Sequence, residues 1–443
     1  MSDTDILVLI YPPEGRDPEA IIPLAWYLEN VFQYKIKYGS IFDSRYLIDK
    51  YKPKALLLNN MSGSEFNVLA CDYAYDKGVK VVSLTSEGLF REKDMGGFIW
   101  GNNYRKKLDW HLMFVWSKKF LSLSQEFLPQ YKKSFLVSGS TGIDRYKIYS
   151  FMSKQKFLEK YNKKHYKKIV MYAGFTFGNF FNQNFLNQRN ISKKESEFYR
   201  NEMLVVKNII QSLIRNSPDI LFILKQHPGE DSLHMEIDHD LRFDNVMIFD
   251  EQETLADLIN VSDIYFVYRS TTAFEAYALN KPVINIFPTL DLKTVQSDQL
   301  GNCVVRTYLE GQSVIKEYFK TGKIKEFEKK ENLRKKIISE NIGSDDGLNS
   351  FRVATKIHKF MSKQNTLVNN YFSWRGLIIH IILKWNKLLF LLPRFRHSDI
   401  LEKYNNFNDF YKLKLVYKPQ IEKHYLRNIK KKQIAVEKLK DFR

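Results

Sequence analysis

The sequence predicts an α/β protein made of two Rossmann-like, doubly wound domains facing a cleft, followed by a basic, partly apolar helical extension. Three observations carry this. Short β-rich apolar runs alternate with helically spaced segments, the pattern of a parallel sheet wrapped by crossover helices. The alternation runs twice, interrupted by the lysine-rich stretch "FMSKQKFLEKYNKKHYKK" at 151–168. At 443 residues, the chain exceeds what one core of ordinary size accommodates.

The first series holds "DILVLIY" (5–11), "ALLLNN" (55–60), "VKVVSLT" (79–85), "HLMFVW" (111–116) and "SFLVSGS" (134–140). Between these runs, "PEAIIPLAWYLENVF" (18–32) and "SEFNVLACDYAYDKG" (64–78) have helical spacing. Together they define a domain over 1–150, and the lysine-rich stretch reads as a linker helix over 151–167.

The second series comprises "KIVMYAGF" (168–175), "DILFILKQ" (219–226), "NVMIFD" (245–250), "DIYFVY" (263–268) and "KPVINIF" (281–287), a domain over 168–365. The polar segment 182–198 reads as a loop over the cleft or, equally, as a surface excursion. From 366 to 443 the composition shifts to 17 Lys and Arg against 6 Asp and Glu, which is +11 of the total +19. There "RGLIIHIILKWNKLLFLLPRFR" (375–396) is apolar but broken by Lys384, Asn386 and Lys387, a poor membrane span. Two readings stand: an interfacial helix drawn to acidic lipid headgroups, or a terminal helix packed on the domains with a solvated basic tail.

Hydrophobic and aromatic contents of 44% and 15% fit well-filled cores and exclude disorder for most of the chain. Cys71 and Cys303 form neither a CxxC nor a metal-ligand set, which suits a reducing cytoplasm. The first residues carry acids where a signal peptide needs bases. A cytoplasmic protein, peripheral on the inner face of a membrane, is expected. The positive charge admits nucleic acid, anionic membrane or phosphorylated small molecules as partners. No nucleic-acid-binding signature is found, and charge gathered beside an apolar helix suits a membrane better. No strand-end DxD is present, so neither metal nor cofactor is expected.

Three strand ends carry candidate chemistry, because the carboxyl edge of a parallel sheet is where ligands bind. In "VVSLTSEGLF" (81–90) Glu87 is placed to act as a general base, or it belongs to a turn that caps the next helix. In "ILFILKQHPGEDS" (220–232) His227 follows a strand and precedes a Pro-Gly turn, with Lys225 nearby; these groups suit a departing phosphate, while a structural His is the alternative. In "SDIYFVYRSTTAFEAYALNKPVINIF" (262–287) the strand ends into Arg269, Ser270, Thr271 and Thr272 at a helix start, with Glu275 one turn in. Helix starts bind phosphate; plain N-capping by Ser270 and Thr271 is the equal alternative. Glu275 either contacts ribose hydroxyls or caps its own helix turn, and its position one turn after the phosphate site favours the former. His111, at the start of an apolar strand, reads as structural.

Together these passages resemble the GT-B glycosyltransferases of bacterial surface polysaccharide biosynthesis. The order SEG, HP, then a Ser/Thr pair is similar to the bacterial sialyltransferases and capsule Kdo transferases, which use CMP-activated sugars. The resemblance covers roughly residues 1–365 and implies an acceptor-side first domain and a donor-binding second domain. It further implies Glu87 as base, His227 as leaving-group ligand, and Ser270 with Thr271 at the phosphate, beside Lys225, Arg269, Thr272 and Glu275. Ser86 stands where those families carry an acid. A nucleotide sugar and a glycan or glycolipid acceptor are the implied partners. "VSGSTGIDRY" (137–146) also resembles teichoic-acid glycerophosphotransferases, which share the architecture and the HP motif but use CDP-glycerol.

Overall fold

The computed structural model describes residues 4–11, 16–61, 64–86, 92, 95–101, 103–104, 106–107, 110–188, 191–227, 243–250, 252–289, 299–362, 373–389 and 407–430. The chain forms two compact units, Met1–Tyr149 with Ser339–Arg443, and Ser150–Ile338.

The first unit is built on β1 (Ile6–Ile10), β2 (Ile36–Ser40), β3 (Ala55–Leu58), β4 (Lys80–Ser83), β5 (Leu112–Val115) and β6 (Phe135–Val137). All pair in parallel, in the order β2-β1-β3-β4-β5-β6. The second holds β7 (Lys168–Ala173), β8 (Ile220–Lys225), β9 (Val246–Phe249), β10 (Ile264–Val267), β11 (Val283–Ile286) and β12 (Cys303–Val305). Its order is β12-β11-β10-β7-β8-β9, again all parallel. The chain lays down β7, β8 and β9 in one direction, then returns to place β10 on the other side of β7. This is the dinucleotide-binding order, with its switch point between β7 and β10.

Ten of these strands fall within the apolar runs read from the sequence. The others, β2 and β12, are edge strands. "IKYGS" is partly solvated over its first three residues and so shows no continuous apolar run, and "CVV" is only three residues long.

Two expectations change. The 182–198 segment is largely helical, with Gln183–Gln188 followed by the 23-residue helix Lys193–Arg215. Ser192 caps that helix by accepting from the Glu195 N–H at 3.2 Å. The polarity of the segment came from this cap and the solvated first turns; the buried stripe of Val206, Ile209, Ile210, Leu213 and Ile214 lies further along.

The second unit covers Ser150–Ile338 rather than 168–365, so it takes in the expected linker and loses the last stretch. Lys154 pairs with Asp263 at 2.6 Å, and the Met152 N–H donates to Asp257 at 2.6 Å. At the other boundary the chain returns to the first unit, where the helix Asn349–Ser362 packs on Arg16–Asn30. The Asp144 carboxylate accepts from the Asn349 and Ser350 N–H groups at 3.1 and 2.6 Å, capping a helix two hundred residues away in sequence.

Burial of Asp144 pushes its carboxyl up to about 7, although the Ser350 and Asn349 donors oppose the shift. A carboxyl raised on folding contributes stability at low pH that is lost as pH rises through the folded value. The melting temperature is therefore expected to fall by several degrees between pH 5 and pH 8. In Asp144→Asn that slope flattens, as thermal melts across the range would show.

Within the first unit, Asp49 anchors the C-terminal segment to the N-terminal part. Its carboxylate meets the Lys77 ammonium at 2.9 Å, and both side chains are only 2% exposed. It also accepts from the Tyr73 hydroxyl at 2.7 Å and the Ser373 N–H at 2.8 Å, where the helix Trp374–Leu389 begins. Among the described residues no helix is long and apolar enough to cross a membrane.

Candidate functional site

The second sheet brings two of the predicted clusters to one edge. Pairing aligns Lys225 with Ala173, Ala173 with Val267, and Val267 with Asn285. Lys225 and Val267 therefore lie two strands apart, about 10 Å. Just beyond that row the chain continues into Gln226 and His227 on one side of β7, and into Tyr268–Thr272 on the other. The Gln226 N–H donates to Phe249, and the Gly174 N–H to the Lys225 carbonyl at 2.8 Å, which fixes the backbone there. Lys225 is half-buried and His227 exposed.

The turn after β10 is held from below by buried amides. Asn285, 1% exposed in the middle of "VINIF", accepts from the Arg269 N–H at 3.2 Å and donates to Gln299 at 3.2 Å. Gln299 donates to the Ser270 carbonyl at 3.2 Å and accepts from Asn302 at 3.0 Å. The Tyr277 hydroxyl closes the network on Asn302. This scaffold holds Arg269 at φ 47°, a left-handed conformation that costs a non-glycine residue roughly 1 kcal/mol or more. The signal for Asn285 is a lone amide inside an apolar strand, since such a group must find partners. Asn285→Leu is expected to lower stability by about 1–3 kcal/mol, because the Arg269 N–H loses its Asn285 acceptor and Gln299 loses one of its two donors. Urea melts would measure it.

The hydroxyls divide by role. Ser270 accepts from the Thr272 N–H at 3.3 Å and bonds the Thr272 hydroxyl at 2.8 Å, and Thr272 also bonds the Tyr265 hydroxyl at 2.7 Å. Thr271 is the exposed member. The helix that follows, Ala273–Ala278, has six residues, so its dipole is small. Glu275 is buried at 7% exposure rather than presented at the surface. Burial, chiefly, together with the Glu275 charge holds the Tyr265 hydroxyl well above its ordinary value, against the Thr272 hydrogen bond.

The Arg269 guanidinium sits among aromatic rings, 4.4 Å from the Phe287 centroid, 5.5 Å from Tyr268 and 5.7 Å from both Phe198 and Tyr199. Phe175 and Phe177, just after β7, pack on Tyr268 at 5.1 and 4.7 Å. This aromatic group beside the switch point went unread in the sequence, where its members are scattered over more than a hundred residues. Such packing fixes the cation in place, and a lysine would not reproduce it.

In the first unit the end of β4 is clamped by its neighbours. Thr85 donates to the Phe114 carbonyl at 2.6 Å, Trp116 donates to the Thr85 carbonyl at 2.8 Å, and Ser86 donates to the Asn59 carbonyl at 3.4 Å. Glu87 follows directly and lies outside the described residues. His111 accepts from the Val81 N–H at 3.0 Å. Burial and then the Lys80 charge lower its pKa, so the ring is neutral and ties two strands together. Both cysteines are free and buried. Among the described residues no group of three or more His, Cys, Asp or Glu could hold a metal.

No family model matches the sequence, and no curated protein is recognisably similar to it in sequence. Solved structures do match. The chain is similar to S. aureus MnaA in complex with UDP, at 16% identity over 83% of this chain and 99% of that one, with a TM-score of 0.51. It is similar to the UDP-GlcNAc 2-epimerase of Neisseria meningitidis bound to UDP-GlcNAc, at 16% identity over 80% and 100%, TM-score 0.50. The wall teichoic acid polymerase TagF matches at 11% identity over 81% and 89%, TM-score 0.50.

The chain has the GT-B fold. In GT-B terms the first unit supplies the N-terminal Rossmann-like domain and the second the C-terminal one. At such identities the likeness establishes the GT-B architecture alone, because one fold hosts many chemistries. The narrower resemblance to CMP-sugar transferases gains nothing from an epimerase and a polymerase, and it rests on the motifs.

Proposed function

We propose that the chain is a glycosyltransferase that moves a sugar from a nucleotide donor onto a surface-polysaccharide or lipid-linked acceptor, with CMP-Kdo or CMP-sialic acid the favoured donor. The observation that carries this reading is the common carboxyl edge of the second sheet. Lys225 and His227 end one strand there, and the braced Arg269–Thr272 turn follows another, on either side of the switch strand. Ligands of open α/β sheets bind at that edge.

In the proposed reaction the acceptor hydroxyl attacks the anomeric carbon while the bond from that carbon to the phosphate oxygen breaks. Glu87 takes the hydroxyl proton, and the nucleotide phosphate leaves with the electron pair. Lys225 and His227 stabilise the charge on the departing phosphate, and the exposed Thr271 hydroxyl of the 269–272 turn is assigned to the nucleotide.

A second reading transfers a polyol phosphate from a CDP-linked donor, and "VSGSTGIDRY" together with HP favours it. A third isomerises the donor itself, as the name of the Neisseria neighbour suggests. A thermal-shift panel of CMP, CDP, UDP, GDP and TDP tests all three. Ligand at a hundred times its dissociation constant adds about 2.7 kcal/mol of stability. Stabilisation by CMP, lost in His227→Ala, supports the leading reading. A CDP response with phosphorus in the product favours polyol phosphate transfer, and a UDP response with isomerisation in the absence of acceptor favours an epimerase. No response to any nucleotide removes the donor-site assignment.

A further inference from the structure

We infer that the outward face of the helix Trp374–Leu389 is a docking surface for an anionic lipid bilayer. The helix has two faces of different fate. On one, Gly376, His380 and Leu383, spaced 4 and 3 residues apart, press onto the first unit. His380 stacks on Tyr46 at 3.7 Å and meets the Asp43 carboxylate at 3.1 Å, while Leu383 enters the core. A Cβ at Gly376 would lie 2.9 Å from that of Arg45, so the helix rests directly on the neighbouring backbone. With the Ser373 N–H on Asp49, its rotation about its own axis is fixed.

The opposite face carries Trp374, Ile378, Ile381, Ile382 and Trp385. These are 72%, 54%, 44%, 51% and 66% exposed. Spacings of 4, 3 and 4 put Trp374, Ile378, Ile381 and Trp385 on one line. The two indoles stand at its ends, about 16 Å apart. Scattered exposed apolar residues are ordinary, but a contiguous ridge on a docked helix marks an interaction surface.

Charge selects the occupant. From Gly347 to Ser398 the sequence has no acidic residue and nine Lys or Arg. Arg375 and Lys384 are exposed on the helix itself. A second copy docked through the same face would bring two such cationic segments together, which is repulsive, and a phosphate polymer offers nothing to bury two tryptophans and three isoleucines. Acidic headgroups over hydrocarbon satisfy both features, and indoles favour that boundary. At about 24 Å the helix is too short to span, so it lies along the surface. The inference is independent of the donor assignment.

The test is flotation of the full chain with vesicles of phosphatidylcholine, alone or containing phosphatidylglycerol. Binding to the mixed vesicles is expected, weakened at least tenfold by high salt or by omitting the anionic lipid. The double variant Ile378→Asp/Ile382→Asp should lose it at least tenfold with an unchanged melting temperature. In parallel, brominated lipid should quench tryptophan emission of the native chain, and this quenching should largely vanish in Trp374→Phe/Trp385→Phe. That measurement decides if the aspartate variant misfolds. Native-like flotation of a folded aspartate variant, quenching unchanged by the phenylalanines, or no vesicle binding by the native chain overturns the inference. So does dimerisation without lipid that the same aspartates abolish, which would give the face to a second copy. A nucleotide response that persists in every variant separates failure here from failure of the donor site.

Discussion

Exchanging Lys77 for methionine is expected to lower the stability of the first unit by about 3–5 kcal/mol, the largest structural effect foreseen for a single residue. Lys77 and Asp49 are each 2% exposed, so neither charge recovers hydration when its partner goes. Without the ammonium, Asp49 retains the Tyr73 hydroxyl and the Ser373 N–H, and these do not neutralise a buried carboxylate. The double exchange Lys77→Met/Asp49→Asn should recover much of the loss, because it removes the stranded charge. It should still weaken the hold on the 374–389 helix, whose start is pinned to that carboxylate. Urea denaturation of the three variants measures both effects, and a Lys77→Met loss under 1 kcal/mol would show the pair to be dispensable.

The second large effect follows from the proposed glycosyl transfer. Lys225→Ala and His227→Ala are each expected to reduce kcat about 10²–10³-fold, the usual cost of deleting a group that stabilises charge developing in the transition state. In the proposed reaction the phosphate gains charge as it leaves, so kcat should fall more than KM rises. Lys225 is half-buried at a strand end and His227 exposed, so both variants should melt as the native chain does. Turnover with the donor that the nucleotide panel identifies is the measurement. A folded His227→Ala enzyme with native kcat removes the leaving-group role.

Much of the architecture was legible because buried parallel strands are continuous apolar runs with their own punctuation. "ILFILK" reads as a strand on sight, whereas half-solvated "IKYGS" does not. That His227 and the 269–272 turn lie at one edge of the second sheet was legible for the same reason, since both follow strands of one series. What holds the turn was not. Asn285, Gln299 and Asn302 meet only after folding, and their amides look like any others in a list of residues. The Thr272 hydroxyl's engagement with Tyr265 and Ser270, which leaves Thr271 as the exposed member, likewise depends on side-chain directions. The return of the chain at 339 was hidden because its decisive contact, Asp144 on the Asn349 N–H, spans 205 residues.

That return also fixes an order of events at the ribosome. The second unit, Ser150–Ile338, is a continuous stretch and has all its strands as soon as it emerges. The first unit, although its sheet is synthesised earlier, waits for the helices Asn349–Ser362 and Phe407–Tyr425 that cover Arg16–Asn30. From Val137, where the sheet ends, to Tyr425 the chain adds 288 residues; at roughly 5–20 residues per second that wait lasts about 15–60 seconds, and Trp26 and Tyr27, which pack on Tyr425 and Phe351, stay without those partners throughout. The part made first is finished last: the N-terminal third of the chain stands incomplete until its C-terminal helices arrive.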